Sequence, residues 1–312
     1  MSLEYKEILV PGLGSIATEE QARDWLWRAK CDGKPFVCRR CQHEEAYPYA
    51  SRPEIKLCRR CGTQNRLRVG TAFEKTSTSI LRILRMTFLM MQDKRGGSAH
   101  SMKRQLDMKS YGTVWSLLQK VRGAISLRNA QYKIAGNVEV DGADFGRQSR
   151  RGEYISQRAL IAVEKVTWKD DKTGKLRTKA KFARAGVVST ESSRSAFLFS
   201  KTALDKKATV HADGNRAFES MSVAQVIAKP MRQNQEELDR WLPLVHRIIS
   251  NAKRWLMGTH HGIGPKYLAR YLDEYFFRFN RRHDPNTLWH RALLACAVTK
   301  QPIVASIRAK TG

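Results

Sequence analysis

The sequence predicts a multi-domain α/β protein in which a small cysteine-rich module and a helical segment precede a mixed sheet with flanking helices. The first observation is the length of 312 residues, because a domain holds roughly 150 residues. The second is a pair of Cys-x2-Cys spacings near the N-terminus. The third is a series of strand-like runs followed by alternating helix and strand. Glycine-rich breaks place the predicted boundaries, which give an N-terminal region 1–70, a helical segment 71–135 and a larger unit 136–312.

The charge of the chain indicates a polyanionic partner. Lys and Arg number 57 against 29 Asp and Glu, so the formal net charge is +28, and the basic residues occur along the whole sequence. Hydrophobic residues make up 42% and aromatic residues 9%, which is too much for a disordered basic tail. Nucleic acid is the first candidate partner and an anionic membrane surface the second. No apolar run approaches the roughly 18 residues of a spanning helix, and the N-terminus lacks the order of a signal peptide, so we expect a soluble protein.

Four cysteines form two pairs with the spacing C-x2-C-x16-C-x2-C. They are Cys38, Cys41, Cys58 and Cys61. Two residues between thiolates allow one tight turn to direct both sulfurs at one ion, and the second pair completes a tetrahedron, so the spacing predicts a structural zinc site. His43 is close enough to compete for the ion, whereas Cys31 and Cys296 are predicted to be ordinary buried thiols. The alternative is two redox pairs or unrelated cysteines.

The segment that follows has the outline of a helix-turn-helix. A predicted helix over residues 80–91 begins after a run of Ser and Thr that can cap it. Ser98 can cap a short helix, and after a turn at residues 107–109, Ser110 can cap a second helix. The start of the second helix would meet base edges with Lys109, Ser110, Tyr111 and Thr113. Its buried side is predicted to comprise Val114, Leu117, Leu118 and Val121. The alternative is a plain helical hairpin that packs a core.

Two aspartates at strand-like runs point to phosphoryl-transfer chemistry. The runs cover residues 138–145, 159–166, 181–188 and 208–212, with a polar hairpin at 169–175 and a helix over 192–202. Asp141 lies in the first run and Asp213 follows the last, so both side chains can project into one cleft. Two such carboxylates are suited to hold divalent cations about 3.5–4 Å apart for in-line attack on a phosphate. For either aspartate alone, the alternative is a turn or strand-end role.

Four motifs resemble those of the insertion-sequence DDE transposases. They are Val138-Glu139-Val140-Asp141, Ala212-Asp213-Gly214, Asn251-Ala252-Lys253-Arg254 and the run RYLDEYFFRFNRR at residues 270–282. The similarity covers nearly the whole chain and is closest to the zinc-ribbon, ISXO-type group. It implies a zinc ribbon and a helix-turn-helix segment followed by an RNase H-like mixed sheet with flanking helices. It also implies cleavage and strand transfer at transposon ends with two Mg²⁺ or Mn²⁺ ions.

The resemblance implies roles for individual residues. Asp141 matches the first aspartate of the family and Asp213 the second. The third position is usually Glu, or Asn in some relatives, and it aligns here with His246, which makes an Asp-Asp-His-Lys set with Lys253. His246 and Lys253 are seven residues apart on a predicted helix that starts at Pro243, so they share one face of that helix. The resemblance implies that His246 lies at the metals and that Lys253 contacts a DNA phosphate. The implied partners are double-stranded DNA, at transposon ends and target, and a second copy of the protein. The implied location is the bacterial cytoplasm, on the nucleoid.

Two departures from the family pattern affect this site. Imidazole is a poorer ligand for Mg²⁺ than a carboxylate is, and it binds Mn²⁺ better than it binds Mg²⁺. Three alternatives follow for His246: it binds metal, it moves a proton to the attacking hydroxyl, or it marks an inactive copy. Gly142 replaces an acidic residue that many relatives carry beside the first aspartate. Three nearby carboxylates precede the predicted helix and are expected to lie off it: Glu236, Glu237 and Asp239.

The sequence therefore favours a DNA transposase that binds terminal inverted repeats and cleaves and joins strands. The predicted DNA-binding residues are Lys109, Ser110, Tyr111, Thr113, Lys253 and Arg254. One alternative is a DNA-binding regulator without catalysis, or a domesticated or inactive transposase. A second alternative is a structure-specific nuclease with the RNase H-like fold.

Overall fold

The computed structural model describes residues 16–93, 95–148, 153–229 and 235–300. The chain groups into two compact units, Met1–Leu127 with Asp284–Gly312, and Arg128–His283. The boundaries predicted at residues 70 and 135 remain predictions. In chain order the elements are α1 (Glu19–Lys30), β1 (Ala46–Pro48), β2 (Ile55–Cys58), β3 (Gln64–Arg66), α2 (Ile80–Gln92), α3 (Ala99–Gln105), α4 (Tyr111–Asn129), β4 (Asn137–Gln148), β5 (Tyr154–Lys169), β6 (Leu176–Val188), α5 (Ser193–Ala203), β7 (Thr209–Asp213), a 3-10 helix (Arg216–Ser220), β8 (Gln225–Lys229), α6 (Gln235–Trp241), α7 (Pro243–His260), α8 (Pro265–Asn280) and α9 (Pro285–Val298).

The first unit combines a small antiparallel sheet with a helical core. The sheet has the order β1-β2-β3, and its strands are only three to four residues long. The C-terminal helix α9 packs on α1 and α2, and the rings of Phe88 and Trp289 meet edge to face with centroids 5.4 Å apart. Helix α9 therefore completes the core of this unit, although it lies far from α1 and α2 in the sequence.

Helices α2, α3 and α4 of the first unit begin at the serine caps that the sequence predicts. Ser79 Oγ accepts the N–H of Arg82 at the start of α2, and Ser98 Oγ accepts that of Ser101 at the start of α3. Ser110 Oγ accepts the N–H of Thr113 in the first turn of α4. The apolar side predicted for α4 is fully buried, comprising Val114, Leu117, Leu118 and Val121. Two helices joined by a short turn are thus present over residues 99–129.

The second unit is built on a five-stranded mixed sheet with the order β6-β5-β4-β7-β8. Strands β4, β5 and β6 are antiparallel neighbours, whereas β7 is parallel to β4 and β8 is parallel to β7. Strands β5 and β6 are longer than predicted because their pairing runs on to Lys169 and Leu176, around the predicted polar hairpin. This mixed sheet with helices on its faces is consistent with an RNase H-like fold.

Alternation along β4 separates the two faces of the sheet. Val138 and Val140 pack with α5 on one face. Ala143 and Phe145 pack with α7 and α8 on the other face, so the odd-numbered positions of β4 point towards α7. Among the helices of the described residues, none combines the length and apolar character that a membrane crossing requires.

Candidate active site and metal centres

The four cysteines of the first unit form one cluster. Their ligand atoms all lie within 4.8 Å of one another, and Sγ of Cys38 lies 3.6 Å from that of Cys61, as does Sγ of Cys41 from that of Cys58. A tetrahedral zinc site with Zn–S bonds of about 2.3 Å has sulfurs about 3.8 Å apart, so the cluster fits zinc. His43 lies outside the cluster, and its Nε2 is 3.8 Å from a carboxylate oxygen of Glu45.

The pKa values of the cysteine thiols also favour a cation bound between them. Burial opposes ionisation of Cys38, but the backbone N–H groups of Cys41 and Arg40 and the side chain of Asn65 lower the pKa of its thiol to about 6. The backbone N–H of His43 lowers the pKa of Cys41, but burial and the neighbouring sulfurs outweigh it and raise that pKa to about 12. The two pKa values move in opposite directions because crowded thiols repel one another's charge when they ionise. A bound cation removes that conflict. Cys31 and Cys296 are buried free thiols, as predicted.

Asp141 and Asp213 lie at matching positions on adjacent parallel strands. In the β4–β7 pair, Asn137 is opposite Thr209. Asp141 follows Asn137 by four positions and Asp213 follows Thr209 by four, and both lie two positions beyond the last pair, Glu139 and His211. The same register places the two aspartates at one level along the sheet. The sequence predicts that both residues lie near strand ends, which holds for Asp213 at the end of β7, whereas Asp141 lies within β4 because that strand runs on to Gln148. The parallel pairing brings the two strands side by side.

His246 lies between two carboxylates. Its Nε2 is 3.2 Å from Asp141 Oδ2, and its Nδ1 is 2.5 Å from Asp239 Oδ1. The hydrogen bond to Asp141 raises the pKa of His246, burial opposes this increase, and the hydrogen bond to Asp239 adds to it. Asp239 lies on α6, off α7 as predicted, and it still contacts the histidine ring. The sequence analysis predicts only that Asp239 lies off this helix and does not predict its contact with His246.

Asp213 is a half-buried carboxyl among like charges. Burial raises its pKa, and the carboxylates of Asp141 and Glu191 raise it further, against the N–H of Asn215 and the charge of Arg158. A divalent cation near Asp141 and Asp213 would offset this repulsion, and the available donors are carboxylate oxygens and an imidazole nitrogen. Such a mixed donor set fits Mn²⁺ better than Mg²⁺. In the part of the chain that the structure describes, only the cysteines form a cluster with all ligand atoms within 4.8 Å, so the aspartates and His246 form a more open set.

Glu191 is a further carboxylate at this site, which the sequence reasoning missed. Arg158 binds it at 2.5 Å, and Asn215 Nδ2 donates to it at 2.7 Å. A Cβ atom at Gly142 would lie 1.9 Å from Glu191 Oε2, so the glycine leaves the space that this carboxylate occupies. An acidic side chain is therefore present beside Asp141, although it comes from the segment before α5. Its only sequence signal is a place just ahead of the cap Ser192, which does not reveal its neighbours.

Lys253 and Arg254 lie further along α7 and are exposed. Lys253 Nζ is 5.8 Å from the ring centre of Phe145, which follows Asp141 by four residues on the same face of β4. His246 and Lys253 therefore lie along one face of β4, as expected for residues two helical turns apart. Lys109, Ser110, Tyr111 and Thr113 lie in the other unit, and all four are exposed at the start of α4.

Comparison with known proteins places one family on the second unit. Residues 133–280 match the family model of the ISXO2-like transposase domain. The matched span begins just before β4 and ends with α8, so it contains both aspartates, His246 and Lys253. No curated relative matches the chain.

Proposed function

Because residues 133–280 match the family model of the ISXO2-like transposase domain, we propose that this protein is a DDE-type DNA transposase. It binds transposon terminal inverted repeats and carries out metal-dependent strand cleavage and strand transfer. The observation that carries the proposal is the pair of aspartates at one level on adjacent parallel strands, with His246 hydrogen-bonded to Asp141.

Asp141 and Asp213 hold the divalent ions, and His246 completes the site. When bound, two Mg²⁺ or Mn²⁺ ions supply positive charge at the attacking and leaving oxygens of the phosphate. His246 offers Nε2 towards the metal side, while Asp239 accepts the proton of Nδ1 and so fixes the orientation of the ring. The carboxylates of Asp141 and Asp213 would hold these ions. Water and then a 3′-hydroxyl act as nucleophiles, so the protein forms no covalent bond to DNA.

Residues outside the metal site bind and position DNA. Lys253 lies over Phe145, four residues along β4 from Asp141, and contacts a phosphate, with Arg254 next to it. In the first unit, zinc holds the ribbon through Cys38, Cys41, Cys58 and Cys61, and the start of α4 reads the transposon end. The DNA-reading residues there are Lys109, Ser110, Tyr111 and Thr113. Two ends must be held together, so the protein works as at least a dimer on DNA, on the nucleoid in the cytoplasm.

The proposal is tested with labelled transposon-end DNA in the presence of Mn²⁺. The variants Asp141→Asn and Asp213→Asn keep the shape of each side chain and remove its charge, so we expect cleavage to fall about 10³-fold or more with DNA binding retained. Asp171→Asn is the matched control, because it makes the same charge change at an exposed position of the β5–β6 hairpin. Retained cleavage in Asp141→Asn would contradict the site assignment. If the native chain binds transposon ends normally but shows no metal-dependent cleavage, the result would favour a regulator or an inactive copy. Cleavage without strand transfer would favour a nuclease.

A further inference from the structure

Glu139 is a buried carboxylate two residues before Asp141, and the proposed chemistry gives it no role. Its side chain is fully buried, although an ionised carboxylate is costly to remove from water without partners. It lies on the face of β4 that carries Asp141, because side chains two positions apart in a strand share a face. The partners of Glu139 therefore determine what it does.

The first partners of Glu139 are two backbone N–H groups at the start of α7. Glu139 Oε2 accepts the N–H of Leu244 at 2.8 Å and that of Val245 at 3.0 Å. These groups have no local cap, since the residue before the helix is Leu242 and makes no side-chain cap hydrogen bond. Pro243 occupies the first position and has no N–H to satisfy. A carboxylate from 105 residues earlier thus replaces the missing cap.

The second partner balances the charge of Glu139. Lys165, on the neighbouring strand β5, places its Nζ 3.3 Å from Glu139 Oε1. The positive end of the α7 dipole faces the other carboxylate oxygen. Two hydrogen bonds therefore hold Oε2 at the start of α7, and Oε1 lies within ion-pair distance of Lys165, which gives this carboxylate a defined position on β4.

Two neighbouring contacts join β4 to the first turn of α7. Glu139 binds the N–H of Val245, and Asp141 binds the ring of His246, which is the next residue of α7. A rotation of α7 by one residue corresponds to about 100° and would turn His246 away from Asp141. The contacts of Glu139 oppose such a rotation.

We propose that Glu139 is a positioning residue of the catalytic site, which fixes the first turn of α7 on β4 so that His246 meets the metal ligands Asp141 and Asp213. This inference rests on the proposed function, because it assumes that these residues bind divalent metal. The role depends on the reach of the carboxylate more than on its charge. Two conservative variants separate these properties: Glu139→Asp keeps the charge and shortens the side chain, whereas Glu139→Gln keeps the reach and removes the charge.

The test measures the affinity of the zinc-loaded full chain for Mn²⁺. The electron paramagnetic resonance signal of free Mn²⁺ reports the binding, at a temperature well below the melting temperature. We expect Glu139→Asp to weaken Mn²⁺ binding by about 10-fold or more, as loss of a supporting partner of a metal ligand typically does. We expect Glu139→Gln to remain within about 3-fold of the native chain, because the amide oxygen still accepts both N–H groups.

Glu19 supplies a matched control in the other unit. Its carboxylate accepts the N–H groups of Ile80 and Leu81, at 2.7 and 3.0 Å, at the start of α2. Glu19→Asp therefore makes the same change to the same kind of cap, and we expect native Mn²⁺ affinity. If Glu139→Gln weakens binding as much as Glu139→Asp, or if Glu139→Asp binds like the native chain, the positioning role is wrong. If the native chain and Asp141→Asn bind Mn²⁺ equally, the metal site of the proposed function fails instead.

Discussion

In the proposed site, a proton on the ring of His246 and a metal ion bound to it would compete beside Asp141. Without metal, the two carboxylates of Asp141 and Asp239 favour the protonated form of the ring that lies between them. With metal, the ring must give up the proton on Nε2 in order to act as a ligand. The electrostatic balance of the proposed site therefore differs between the metal-free and metal-bound states.

The stability of the metal-free chain should depend on pH through His246. The hydrogen bond to Asp141, with that to Asp239, raises the pKa of the folded state against the effect of burial. The stabilising contribution is therefore complete below the ordinary histidine pKa of about 6.5, and it is lost as pH rises through the raised pKa. In urea unfolding between pH 6 and 9 without Mg²⁺ or Mn²⁺, the advantage of the native chain over His246→Gln should shrink with pH. A pH-independent difference would show that the ring does not titrate in this way.

Asp213 should reduce the stability of the metal-free protein. Burial and the nearby carboxylates raise its pKa, so at neutral pH its ionised form is less favourable in the folded state than in the unfolded state. We expect Asp213→Asn to raise the free energy of unfolding by about 0.5–1 kcal/mol while cleavage is lost, because functional sites often sacrifice stability for activity. Thermal unfolding without divalent metal measures the effect, with Asp171→Asn as the control. A lower melting temperature for Asp213→Asn would contradict the prediction.

At the scale of elements, the three short strands of the first unit depend on the cysteines. Isolated sheets of this size are at best marginally stable, and the described sheet consists of β1, β2 and β3 alone. The turn with Cys38 and Cys41 precedes β1, the turn with Cys58 and Cys61 connects β2 to β3, and Asn65 on β3 donates to Cys38 Sγ at 3.6 Å. A bound ion would join both turns across the sheet.

Removal of zinc should therefore unfold this sheet. Structural zinc contributes about 10–16 kcal/mol of apparent binding free energy in small zinc modules, which is more than a sheet of this size can replace. We expect a strong chelator, or the variant Cys58→Ser, to expose the amides of β2 to rapid hydrogen exchange. Cys31→Ala is the matched control, since Cys31 is a buried thiol outside the cluster. Protected amides after chelation would show that the cluster is not a structural zinc site.

At the scale of the whole molecule, the net charge of +28 should make DNA binding strongly dependent on salt. Each phosphate neutralised contributes a slope of roughly −0.9 to the plot of log association constant against log salt concentration. We expect Lys109→Ala and Lys253→Ala each to reduce the steepness of that slope by about 1, since each removes one proposed phosphate contact. Binding titrations of transposon-end DNA at several salt concentrations measure this. An unchanged slope in Lys253→Ala would remove that lysine from the DNA contacts.

The sequence by itself determined the features that depend on a few neighbouring residues. The cysteine spacing predicts the cluster, Ser79, Ser98 and Ser110 mark the helix starts, and alternation locates the strand that carries Asp141. The family motifs direct attention to Asp213 and His246. These signals are readable because turn geometry, capping and strand alternation act over a few residues.

Only the tertiary structure decided which distant residues meet at the site. The parallel pairing of β4 with β7 sets the two aspartates level, Gly142 leaves space for Glu191, and α6 brings Asp239 to His246. Glu139 caps a helix that begins more than 100 residues later. No local pattern encodes such contacts, because they depend on strand order, register and helix packing, which the whole sheet and its core determine together.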